Sequence, residues 1–251
     1  MGLKKLLNLS LALAIAEFKL RNEGSYLGIF WYLLNPLLTF GLLFLVFSIR
    51  LGGSIPNYPI YLMIGIIMFN FFQTSTTEAT KVIIAHCRII KSINFPCESL
   101  IGSVVLKMLF SHFFEILLFI VFLAIFGVPL IQAIFYPLIL IFFCLFIFGA
   151  SLILSSLAVY FVDLANIWAF VSRLIWLATP IFYEIGGQAR LFIFNLFNPM
   201  YYFITISRDI IVYGRMPYFW MIAGAAGYTI LLVVIGMIIF SKLKIKFAEL
   251  L

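Results

Sequence analysis

Long apolar stretches alternate along the chain with short clusters of charged and turn-forming residues, and that rhythm sets the expected elements. Crossing about 30 Å of hydrocarbon takes about 20 helical residues. Six apolar runs approach that length: Leu33 to Ile49, Ile60 to Phe72, Val104 to Phe126, Ile131 to Val159, Ile167 to Phe182, and Phe219 to Phe240. The second and fifth fall short, so their polar flanks, Pro56 to Tyr58 and Asp163 to Asn166, are expected near the interfaces. Ahead of the first run, residues 3–21 read as an amphipathic helix lying on the membrane face. Its amphipathicity is imperfect, because Lys4, Lys5, Asn8 and Lys19 share one arc while Ser10, Glu17 and Arg21 fall on another. Gly24 and Gly28 let the chain turn after it, and Trp31 and Tyr32 suit the headgroup region. Pro36 then removes a backbone donor in the first turns of span one, where Asn35 can replace the lost bond or face a pathway. The expected fold is an all-α integral membrane protein with a surface helix and connection over 1–28 and six spans over 29–251.

Composition agrees with the pattern. Of 251 residues, 65% are hydrophobic and 10% charged, too few charges to clothe a soluble domain of this size. The net charge of +7 is not a nucleic-acid footprint, because the bases sit at the ends of apolar runs, where headgroups and topology account for them. Cys87, Cys97 and Cys144 are odd in number and lack metal-site spacing, so neither a disulfide framework nor a metal site is expected. With both termini in the cytoplasm, ten bases (Lys4, Lys5, Lys19, Arg21, Lys81, Arg88, Lys91, Lys242, Lys244, Lys246) face inward and four (Arg50, Arg190, Arg208, Arg215) outward, as the positive-inside rule requires. A cleaved signal peptide ending near Ala14-Ile15-Ala16 competes with the surface helix, but it would put the Lys242 to Lys246 cluster outside.

Two connections are long. "TEATKVIIAHCRIIKSINFPCES" mixes bases with isoleucines, as a short helix docking on a partner would, and equally as a loop whose charge sets orientation. From about Tyr183 to Tyr218 the chain is too apolar for a water-filled loop, yet Gly186-Gly187, Pro199 and Arg208-Asp209 should break a spanning helix. Short helices re-entering the outer leaflet fit both properties, and an interfacial loop without a transport role is the alternative. Inside the spans, Glu115 and Arg173 are expected to pair across helices, while Lys107 snorkels toward the cytoplasm. His112 and Glu115 share a helix face, a weak metal signature beside the simpler reading of a hydrogen-bonded core histidine. No G-x-x-x-x-G-K-[ST], DxD or G-x-S-x-G pattern occurs, so no catalytic residues are expected and the chain has no P-loop of its own.

"RNEGSYLGIFWYLLNPLL" resembles the start of the first span in membrane subunits of ABC transporters that export polysaccharides, namely the O-antigen, capsule and teichoic acid permeases. "SINFP", "VYFVDL", "TPIFYE", "FNLFNPM" with "SRDIIVYGRMP", and "KIKFAELL" are similar to successive motifs of that family, in order along essentially the whole chain. Val162 departs from it, since many relatives have arginine before the aspartate. The resemblance implies a homodimer of six-span permeases in the cytoplasmic (inner) membrane, with two separate ATPase subunits that bind ATP and magnesium. It further implies that His86, Arg88, Ile89, Ile90 and Lys91 form a coupling helix, that the external short helices close the pathway, and that the cargo is a lipid-linked polysaccharide. Aromatic rings pack on the C–H faces of sugars, which makes Trp31, Tyr32, Phe40, Phe44, Tyr183, Tyr201 and Tyr202, with Asn35, candidates for the pathway wall. An exporter of lipid or drug, a membrane-embedded glycan-modifying enzyme and a scaffold without transport activity are the competing functions.

Overall fold

In the computed structural model, residues 3–23, 28–52, 54–92 and 95–250 are described. Gly24 of the expected turn, Ile93 and Asn94 of "SINFP", and the Ile89 side chain lie outside that description. Every regular element among the described residues is helical: α1 (Leu3–Asn22), α2 (Trp31–Leu51), α3 (Tyr58–Ala85), α4 (Cys87–Ser92), α5 (Cys97–Ile125), α6 (Tyr136–Tyr160), α7 (Leu164–Ala178), α8 (Ala189–Leu196), α9 (Pro199–Ser207), α10 (Phe219–Leu243) and α11 (Phe247–Leu250). The chain is an all-α membrane protein. Five helices, α2, α3, α5, α6 with the 3₁₀ turn before it, and α10, are long and apolar enough to cross a membrane. The expected fifth span is shorter: α7 has 15 residues and ends at Thr179, where the backbone turns extended.

The central helix is α3, packed by α2, α5, α6 and α7. Reading the second span as ending at Phe72 follows from the polar run after it, Gln73 to Glu78, and the structure corrects that boundary. Ser75 and Thr76 are fully buried, and the hydroxyls of Thr74, Thr76 and Thr80 donate to carbonyls three or four residues back. Back-bonding satisfies these hydroxyls within the helix, so the polar run stays inside the bundle and the helix continues to Ala85. The long connection contracts accordingly to His86, the six-residue α4 and the residues leading to Cys97.

Helix α1 lies along α5. Ser10 and Ala14 face α5, where a Cβ on Gly102 would come 2.7 Å from the Ser10 hydroxyl oxygen, while Leu7, Leu11 and Leu20 stay exposed. One stripe of α1 therefore packs on protein and another is left for the membrane, which accounts for the blurred amphipathic pattern. Helices α6 and α10 approach closely through glycines: a Cβ on Gly149 would sit 2.6 Å from the Leu232 carbonyl carbon and the Val233 nitrogen. Small residues permit such backbone approach between membrane helices. Leucine at Gly149 should separate the pair and cost about 1–3 kcal/mol from overpacking, read as a lowered thermal midpoint in detergent, with Gly227→Leu, a site with open space, as the unperturbed control.

Candidate functional site

Polar chemistry collects at three levels of the bundle. At the α4 end, Lys107 of α5 is 5% exposed and donates to Glu17 of α1 at 2.7 Å and to Glu78 of α3 at 3.0 Å. His86, which leads into α4, places Nε2 3.4 Å from the other Glu17 oxygen, a charge contact without hydrogen-bond alignment. Lys107 thus does not snorkel. Two carboxylates reach it inside the bundle, which removes the reason to extend toward water. The same contacts tie α1, α3, α5 and the start of α4 at one point. On α4, Arg88 and Lys91 are exposed, while Ile90 packs toward Phe247 and the buried residues around it.

Midway along α5, four side chains form a hydrogen-bonded chain. Tyr136 Oη lies 2.8 Å from His112 Nε2, His112 Nδ1 lies 2.7 Å from Glu115 Oε2, and the Asn70 amide donates to Glu115 Oε1. His112 also stacks on Phe71 with ring centroids 4.6 Å apart. The Glu115–Arg173 pair expected from the sequence is not made within this subunit: both Glu115 oxygens are engaged by α3 and α5, and Arg173 projects outward from α7. A buried acid takes the nearest donors, and His112 one turn earlier is closer than any residue on α7. Glu115, Asn70 and His112 line a cavity of about 60 Å³ with Trp31, Tyr32 and Asn35. Tyr32 is stacked between Phe18 and Phe114 at 6.0 and 6.1 Å, with Arg21 5.3 Å from its ring. Among the described residues no group of three or more His, Cys, Asp and Glu side chains could hold a metal ion.

At the opposite end, Arg208 replaces the expected helix break with a hub. The helix does not stop at Arg208-Asp209; α9 passes into a π turn over Arg208–Val212 and ends at Gly214, whose φ of +60° suits glycine. Arg208 is 3% exposed, its guanidinium lies 3.4 Å from the Tyr61 ring centroid, and it donates to the carbonyls of Tyr61, Pro180 and Ile181 at 2.6–3.1 Å. Gly65 leaves the room, since a Cβ there would come 2.8 Å from Nη2. Asp209 is paired instead with Arg215, 2.7 Å away. An aromatic ladder reaches this hub from α2, with Phe40, Phe44, Tyr58 and Tyr61 stacked at successive centroid distances of 5.4, 6.2 and 6.3 Å.

The eight wall candidates therefore separate. Trp31, Tyr32 and Asn35 meet at the inner cavity, and Phe40 and Phe44 belong to the ladder packed on the core. Tyr183 and Tyr202 donate their hydroxyls to the carbonyls of Ala178 and Leu196, which commits them to structure. Tyr201 lines a cavity of about 460 Å³ beside Arg208, together with Tyr61, Tyr213 and Trp220. Burial pushes the Tyr213 hydroxyl up to about 12, so it remains a protonated donor. Asn70, Glu78, Tyr136 and Tyr213 are absent from the sequence reading. The available signal was Lys107, since a base in the middle of an apolar run requires acidic partners on other helices.

A bundle of apolar helices with charged joints buried between them, and no paired catalytic acids, has the character of a membrane channel or transporter subunit. The family model described as ABC-2 type transporter matches residues 9–212, and the chain belongs to that family. Among curated relatives it is similar to two O-antigen export system permease proteins RfbA of Klebsiella pneumoniae. These are 33% and 31% identical to it over 251 residues, each alignment covering 98% of this chain and 96% of the relative. An O-antigen export system permease protein RfbA of Myxococcus xanthus is 27% identical over 246 residues, 96% of this chain and 94% of the relative.

Proposed function

We propose that this chain is the permease subunit of an ABC exporter that moves a lipid-linked polysaccharide of the O-antigen type across the cytoplasmic membrane. The observation behind this reading is end-to-end similarity to O-antigen export permeases, at 33% identity over 98% of the chain. Two permease chains form the pathway between them, and two ATPase subunits bind ATP and magnesium, for which this chain has no P-loop. The α4 end faces the cytoplasm with both termini; burial of Arg208 removes one of the four bases counted outside and sharpens the charge asymmetry. Arg88 and Lys91 on α4 meet the ATPase, and movement there passes through His86 to the Glu17–Lys107–Glu78 joint. A glycan-modifying enzyme fits less well, because glycosidic chemistry of the usual kind needs two facing carboxylates and the inner cavity is lined by one, Glu115.

Deleting the gene and complementing it tests the proposal. Surface O-antigen-type polymer should disappear, lipid-linked polymer should accumulate inside, and the tagged chain should co-purify with a subunit bearing the ATPase motif. Unchanged surface polymer in the deletion strain would remove this function.

A further inference from the structure

The tyrosines of this protein fall into two groups by what their hydroxyls do. Tyr58, Tyr61, Tyr160, Tyr183, Tyr202 and Tyr228 each donate to a main-chain carbonyl, as buried tyrosines holding a fold together should. Tyr201 and Tyr213 do not. Among the described residues neither hydroxyl has a hydrogen-bond partner, and neither is sealed off, because both side chains line the 460 Å³ cavity beside Arg208. Thr205, on the same wall, is likewise without a side-chain partner.

Charges around the cavity follow the opposite rule. Arg208 is saturated by three carbonyls and Arg215 is taken by Asp209. Of the charged lining residues only Glu184, exposed at the rim, has no ion-pair partner, and a carboxylate there disfavours phosphate and accepts hydrogen bonds from hydroxyls. The remaining walls are aromatic: Trp220 is 39% exposed and Tyr218 66% exposed. Neutral hydrogen-bonding groups left open, cations already paired and exposed rings together describe a site for a neutral, hydroxyl-rich ligand. Its volume lies in the range of small-molecule sites.

We infer that this cavity, formed by α3, α9, the π turn and the start of α10, binds sugar residues of the exported polymer at the external end of the pathway. Tyr201 and Tyr213 hydrogen-bond the sugar hydroxyls, and Trp220 and Tyr218 contact the ring faces. The inference rests on the proposed export function. Each protomer would thereby hold the emerging chain through neutral contacts that are readily exchanged, as a moving polymer needs.

The test uses the full-length chain in lipid nanodiscs, with oligosaccharides released by mild acid hydrolysis from the host's own surface polymer as the probe and phosphoethanolamine as the comparison. Tryptophan fluorescence and saturation-transfer NMR read binding. Wild type should bind the oligosaccharide, and Tyr201→Phe combined with Tyr213→Phe should weaken binding about tenfold by deleting two hydrogen bonds. If the double variant loses its thermal midpoint, Tyr218→Ala at the exposed rim replaces it, with an expected weakening of about threefold. Equal affinity in wild type and variant, no oligosaccharide binding at all, or binding of phosphoethanolamine in its place each overturns the site. Should the deletion strain lose its surface polymer while the purified chain binds no oligosaccharide, this site fails and the export function stands. A deletion strain with normal surface polymer defeats the export function itself.

Discussion

Methionine at Arg208 should unfasten the external end of the bundle. The guanidinium is the shared donor for the carbonyls of Tyr61, Pro180 and Ile181, which belong to α3 and to the strand-like turn after α7. Methionine fills much of the volume but leaves those acceptors buried without a donor, at about 1–3 kcal/mol each. The summed loss exceeds what most single substitutions cost. It should appear as a markedly lowered thermal midpoint in detergent. Lysine at the same position keeps the charge but lacks the planar fork, so partial recovery is expected. A methionine variant with the wild-type midpoint would show that the hub does not hold the two segments together.

The second large effect is expected at the opposite end. Lys107→Met leaves Glu17 and Glu78 facing each other where Lys107 had joined them, with Glu17 only 17% exposed. Breaking a buried pair by removing one partner costs about 3–5 kcal/mol. Because Glu78 is 41% exposed and partly solvated, about 2–3 kcal/mol is the better expectation here. The triple variant Lys107→Met, Glu17→Gln, Glu78→Gln relieves the repulsion and should restore the midpoint. Export should remain impaired in it, since the joint linking α1, α3 and α5 to His86 is gone. Full export by the triple variant would make the cluster purely structural.

Lys107 and Arg208 also mark how far the sequence could be read. Both are conspicuous in one dimension, a base inside an apolar run and a base before an acid in an apolar connection, and both readings assumed local behaviour. Lys107 was expected to reach for water and Arg208 to end a helix. Their partners sit 90, 29 and 147 residues away in the chain, at Glu17, Glu78 and Tyr61, and no local pattern points to pairs at those separations. The Glu115–Arg173 expectation failed for the same reason in reverse. The sequence signals that a buried acid needs a donor, while helix packing decided that Asn70 and His112 supply it.

What the sequence alone determined was the membrane class, the order and position of the apolar helices, the short helix of the long connection and the broken external segment. These depend on hydrophobic run length and turn chemistry, which are local. The end of α3 escaped it, because buried hydroxyls bonded within their own helix look like a polar loop. Tertiary structure alone decided which charges pair, which aromatics are committed to the core and which tyrosine hydroxyls remain open to a cavity. A side chain's available hydrogen bonds depend on the neighbours that packing brings to it.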